Sequence, residues 1–140
     1  MSESWVMGRL FVGSQPTLAE VQDQFDVVVF CAREFQPKWE RCKAELVYAP
    51  LDDDGTLTQQ QLGLALNTAR HVVARLSQGR RVLVTCHMGL NRSAFVAALV
   101  MSMMSPQSRM SNIIARIRKV RGPLALSNGA FVKALRSLSD

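Results

Sequence analysis

Residues 81–104 hold this chain to a layered architecture. Arg81-Val82-Leu83-Val84-Thr85 is a short run rich in β-branched residues, the pattern of a strand covered on both faces. After a brief loop, Ser93 to Met104 is apolar on every side of a helix, so that helix must be enclosed. A strand and a helix that both need burial are satisfied together in a sheet covered by helices.

The rest of the chain repeats the alternation. Arg9-Leu10-Phe11-Val12 (ended by Gly13), Asp26-Val27-Val28-Val29-Phe30-Cys31 and Leu46-Val47-Tyr48-Ala49-Pro50-Leu51 read as strands. Thr17 with Glu20, and Thr58 with Gln61, have capping-box spacing. Leu62, Leu66, Ala69, Val73 and Leu76 form the inward stripe of a helix that Gly79 stops. Pro106 ends the apolar helix, and Met110, Ile113, Ile114 and Ile117 point inward from the next. Ser127 is placed to cap a last helix that turns Phe131, Leu135 and Leu138 to the core. The expected fold class is α/β: a central, mainly parallel twisted sheet flanked by helices, in a single domain over residues 1–140.

Composition narrows the function classes. With 140 residues, 48% of them hydrophobic, the chain can bury a core without covalent staples. Three cysteines, an odd number, fit a reducing compartment better than a disulfide framework. No apolar stretch is long enough to cross a membrane, and the first residues lack the features of a secretory leader, so a cytoplasmic location is expected. The net charge of +6 favours anionic partners. The late basic cluster Arg109, Arg116, Arg118, Lys119 and Arg121 reads as a solvated helix face. It has no interleaved aromatics for base stacking, so nucleic acid is not the favoured partner.

The chemistry is concentrated in Val84-Thr85-Cys86-His87-Met88-Gly89-Leu90-Asn91-Arg92-Ser93. A tight loop between a buried strand and a helix N-terminus turns its amides inward and makes an anion cradle. Gly89 lets the backbone take a positive φ or come close to an anion. Cys86, in that electropositive nest beside Arg92, is placed to be a thiolate. Arg92 can hold two phosphate oxygens at once. A nucleophile and an anion clamp are thereby aimed at one tetrahedral oxyanion. No cluster of His, Cys or carboxylate residues has metal-ligand spacing, so no metal or other cofactor is expected.

Cys86-His87-Met88-Gly89-Leu90-Asn91-Arg92-Ser93 resembles the phosphate-binding loop of the cysteine-dependent protein tyrosine phosphatases, particularly the small dual-specificity branch. Gly8-Arg9-Leu10-Phe11-Val12-Gly13-Ser14 resembles that branch's opening strand, and the resemblance covers essentially the whole chain. It implies hydrolysis of phosphate monoesters (phosphotyrosine, with phosphoserine and phosphothreonine as further substrates) through a phosphocysteine. The implied partner is a phosphorylated protein or another phosphomonoester. Cys86 would be the nucleophile, and residues 87–92 would bind phosphate. Ser93 would ease breakdown of the intermediate, and Asn128 would support the site from the last helix. Thr85 departs from the family, which usually has a histidine before the nucleophile.

An ester oxygen leaves poorly without a proton, so the reaction needs an acid. The family places it shortly after a proline, and in Tyr48-Ala49-Pro50-Leu51-Asp52-Asp53-Asp54-Gly55 the matching position is Asp53, with Asp54 second. Repulsion among three adjacent carboxylates favours keeping one protonated. His71 reads as exposed. Two alternatives share the motif: an RNA 5′-phosphatase or 5′-triphosphatase, whose relatives carry the same Gly-x-Asn-Arg, and a phosphate-binding module without turnover. A rhodanese-type sulfurtransferase fits the Asp-bearing turn less well. Phe30-Cys31-Ala32-Arg33-Glu34 resembles a strand end in the phosphoinositide phosphatase branch, where a second cysteine protects the nucleophile. That makes Cys31 the candidate redox partner, ahead of Cys42.

Overall fold

The computed structural model describes residues 1–139. Five strands, β1 (Glu3–Met7), β2 (Leu10–Gly13), β3 (Val27–Ala32), β4 (Glu45–Leu51) and β5 (Val82–Thr85), form one sheet in the order β1-β2-β5-β3-β4. β2, β5, β3 and β4 run parallel, and β1 is an antiparallel edge. All six residues of β3 and all four of β5 are buried, as their unbroken apolar runs require.

The two faces are covered differently. Val27, Val29, Cys31, Val82, Val84 and Cys86 face a core built with α2 (Gln59–Ser77), α3 (Arg92–Met104), α4 (Met110–Arg121) and α5 (Gly129–Ser139). Val28, Phe30 and Leu83 face a smaller cluster under the single turn α1 (Leu18–Val21) and residues 35–46. α3 is enclosed from Arg92 to Met101. Its Phe95 stacks on Phe131 of α5, with ring centroids 4.6 Å apart, and burying a ring of that size contributes about 1.5–3 kcal/mol.

Several local expectations are corrected. β1 has no signature in the sequence because only Val6 of its five residues is buried. The deepest face of α2 is Ala65, Thr68, Ala69 and Val72, while Leu62, Leu66, Val73 and Leu76 are half-buried. Small residues let the α2 backbone approach α3, and the large ones spread to the flanks. The Thr17–Glu20 capping box closes. Thr58 accepts from the Gln61 amide, but the Gln61 side chain turns to Asp52 instead of completing its box. α5 is capped by Asn128, whose Oδ1 accepts from the Ala130 amide at 3.0 Å, and not by Ser127. Leu138, expected inside, is 50% exposed at the end of α5. His71 is half-buried, with Nε2 3.0 Å from Glu45.

The basic cluster of α4 is not simply a solvated face. Arg116 stacks on Trp5 and donates to the Val6 carbonyl. Arg118 donates to the carbonyls of Ala125 and Leu126. These guanidiniums donate to backbone carbonyls of the edge strand and of the turn after α4.

Candidate active site

Cys86 leaves the end of β5 at the carboxyl edge of the parallel strands, where such sheets place ligands. The five residues that follow form a loop anchored by their carbonyls. The His87 carbonyl accepts from the Gln15 amide at 3.1 Å, Leu90 from Leu126 at 2.7 Å, and Asn91 from Phe95 at 2.8 Å. The carbonyls of Met88 and Gly89 accept from the Arg121 guanidinium at 2.9 and 3.0 Å. Every carbonyl from His87 to Asn91 therefore points into the scaffold. Because each peptide unit is planar and trans, its N–H points the opposite way, into the loop.

Gly89 makes the turn with φ +71°. It is also pressed on Gly13, where a Cβ would come within 2.6 Å of the carbonyl carbon and 2.7 Å of the oxygen, and would meet Arg121 as well. Glycine is required twice over, for conformation and for space. Arg121, read from sequence as surface charge, is half-buried behind the loop. Burial lowers its pKa from the ordinary value, and the nearby Cys86 works in the opposite direction.

Cys86 is buried, with Sγ 3.1 Å from Ser93 Oγ. Thr85, in the place of the expected histidine, donates its hydroxyl to the Val29 carbonyl at 2.8 Å. That hydroxyl is committed to the sheet, and Ser93 is the hydroxyl facing the sulfur. Arg92 lies in the first turn of α3, with its side chain 10% exposed. Its bonds to Glu34 and to the Leu51 carbonyl all leave through Nη1. Nε is buried with no partner among the described residues. Burial disfavours the Arg92 charge, but the paired Glu34 carboxylate outweighs it and the pKa rises. The same bond holds the Glu34 carboxyl below its usual range. Glu34 was missed at the sequence level. Its only signal was an acidic residue just past the end of the strand beside β5.

The three neighbouring aspartates do not share a site, contrary to the repulsion argument. Asp52 bonds Arg33 at 2.7 Å and Gln61 at 3.0 Å, and the Arg33 bond holds its carboxyl below the usual range. Asp54 Oδ1 accepts the amide of Thr56 in its own turn. Asp53 faces the loop: Oδ2 accepts from Asn91 Nδ2 at 3.2 Å and Oδ1 from Asn128 Nδ2 at 2.8 Å. The structure thus brings Cys86, Arg92, Ser93, Asp53, Asn91 and Asn128 around one loop and turns Asp54 away. His87 and Met88 are exposed on its rim. Cys31 is buried at the end of β3, one step past the Phe30–Thr85 pairing with β5.

The chain matches no protein-family model and no curated protein sequence. Its fold is similar to solved structures over nearly the whole chain. Tk-PTP in its active form is 25% identical with a TM-score of 0.85, covering 99% of this chain and 96% of that one. Human DUSP28 is 22% identical at 0.81, covering 98% and 92%. Kinase associated phosphatase, solved with its catalytic-site cysteine replaced by serine, is 19% identical at 0.81, covering 98% and 93%.

Proposed function

We infer that this chain, a member of the cysteine-dependent protein tyrosine phosphatase superfamily in its small dual-specificity branch, is a metal-free phosphomonoesterase acting on phosphorylated protein. The observation that carries this reading is the loop itself. Five consecutive carbonyls are tied outward, and beside them the Nε of a buried arginine has no partner among the described residues. Inward amides and one free guanidinium edge match a tetrahedral dianion.

The mechanism follows from the placements. The Cys86 thiolate attacks phosphorus in line; a P–S bond forms as the P–O bond to the leaving group breaks. Asp53 gives its proton to the departing oxygen. Arg92 and the loop amides hold the three equatorial oxygens, where charge concentrates in the transition state. Water then attacks the phosphocysteine, Asp53 takes its proton, and Cys86 leaves as thiolate while Ser93 donates its hydroxyl to the sulfur.

The test is phosphate release from phenyl phosphate and from a phosphotyrosine peptide, with and without EDTA. The wild type should turn both over, indifferent to the chelator. Arg92→Ala should lose at least about 10²-fold, the scale of one oxyanion donor. Full activity in Cys86→Ser would overturn the assignment. Parallel assays on phosphoserine and phosphothreonine peptides set the breadth of specificity. If 5′-triphosphate RNA is hydrolysed faster than any peptide, the substrate class is overturned instead.

A further inference from the structure

Asn91 stands where a helix takes its capping side chain, and it does not cap. Its backbone lies at φ −119°, ψ −66°, and its side chain makes no bond to the first turn of α3. The amide reaches outward instead. Nδ2 donates to Asp53 Oδ2 at 3.2 Å and lies 3.4 Å from Ser127 Oγ. Oδ1 accepts the Asn128 amide at 3.0 Å. Asn128 Nδ2 then closes the circuit to Asp53 Oδ1 at 2.8 Å and to the Asp54 carbonyl at 2.7 Å.

We propose that Asn91 is the positioning residue for the acid, fixing the Asp53 carboxyl to the phosphate loop one residue from Arg92. This rests on the phosphatase reading above. Asp53 sits on an exposed turn, whose residues 53–56 all face solvent; Asn128 ties that turn to the start of α5, and Asn91 is the side chain that ties it to the phosphate loop. A carboxyl that must meet the leaving oxygen within hydrogen-bond reach gains from being held to the same loop that holds phosphorus. An amide suits the task. It adds no formal charge beside the phosphate, and each Asp53 oxygen keeps a lone pair free for the transferable proton.

The readout is dependence on the leaving group. Phenyl phosphate needs a proton on the departing oxygen, whereas 2,4-dinitrophenyl phosphate, with a far more acidic leaving group, does not. kcat/KM covers only the steps through phosphoryl transfer to Cys86, so hydrolysis of the intermediate does not enter. Asn91→Ala should lower kcat/KM about 10- to 100-fold for phenyl phosphate, part of the ~10²–10⁴ a general acid supplies. The dinitrophenyl ester should lose at most about threefold, because the acid is idle there. Asn91→Ser, uncharged and too short to bridge to Asp53, should show the same split if the alanine variant proves unstable. Adding either change to Asp53→Asn should not widen the split further. Equal losses on both esters, or none, overturn the proposal while leaving the phosphatase reading intact. A wild type inert toward both esters overturns both.

Discussion

Arg92 reaches both carboxylate oxygens of Glu34 through one nitrogen, Nη1, at 2.5 and 2.8 Å. The pairing grips one corner of the guanidinium and leaves the Nε edge for phosphate, so Glu34 aims the clamp from outside. Glu34 is 52% exposed, which places this contact at a wall of the site open to solvent. Glu34→Gln keeps the shape and removes the charge. It should raise KM and lower kcat/KM about tenfold, the scale of one charge-assisted hydrogen bond. Phosphate and vanadate inhibition should weaken in parallel. As pH falls through the lowered Glu34 value, the wild type should approach the variant.

Ser93 Oγ, 3.1 Å from the Cys86 sulfur, helps most when that sulfur departs as an anion. Ser93→Ala should therefore slow hydrolysis of the phosphocysteine more than its formation. The expected pattern is kcat down about 10-fold or more with kcat/KM nearly held. Rapid-quench assays should show a burst, and mass spectrometry a phosphorylated Cys86 peptide. Equal loss in both parameters would assign Ser93 to thiolate formation instead.

Gly89→Ala should destroy the cradle without unfolding the domain. A Cβ would sit 2.7 Å from the Gly13 oxygen, on backbone that already has positive φ. The loop must move away from β2, and displacement by about 1 Å is enough to cost ~10²-fold in rate. Circular dichroism should stay native while kcat/KM collapses.

The sheet, the enclosed helix and the loop were legible because burial on both faces leaves an unbroken apolar record, as in Val27–Cys31 and Val82–Thr85. β1 was not, since an edge strand with one buried residue carries no periodicity. The family resemblance made Asp53 the expected acid, with Asp54 second, but only the turn's hydrogen bonds separate the two, since Asp54 bonds its own backbone. Glu34, Arg121 and the bridging role of Asn91 act across 58, 33 and 38 residues of chain. No local pattern encodes such pairings. Arg121 in particular looks like any charge on a basic helix until its donors are followed to the Met88 and Gly89 carbonyls.

At the opposite end of the sheet, Glu45 accepts from Arg75 at 2.8 Å and lies 3.0 Å from His71. The Arg75 bond holds its carboxyl below the ordinary 4.5. The folded state then binds fewer protons than the unfolded chain, so the stabilisation is present above about pH 4.5 and is lost as pH falls through the folded value. Glu45→Gln should lower Tm near neutrality. The gap to wild type should close as pH falls below about 4.5 and through the lowered folded value. A gap that stays constant with pH would assign the effect to packing.

Cys31 and Cys86 end adjacent parallel strands and face the same core, one step past the Phe30–Thr85 pair. Neighbouring strands lie about 4.8 Å apart, inside the ~7 Å a disulfide allows between Cα atoms. Mild peroxide should convert the Cys86 thiolate to a sulfenic acid. The Cys31 sulfur can then attack it, forming S–S and expelling the hydroxyl as water with the Cys31 proton. Burial pushes the Cys31 thiol well above its usual pKa, with the neighbouring Cys86 adding to the shift. Because the thiolate is the better attacker, this closure should be slow compared with surface exchange. Slow closure still competes with further oxidation when peroxide is scarce. Wild type treated with dilute peroxide should regain activity with dithiothreitol, while Cys31→Ser should be lost irreversibly at the same dose. Non-reducing mass spectrometry should show a Cys31–Cys86 cross-link and none to Cys42. Equal recovery in the two proteins would mean that Cys31 is only a small core residue.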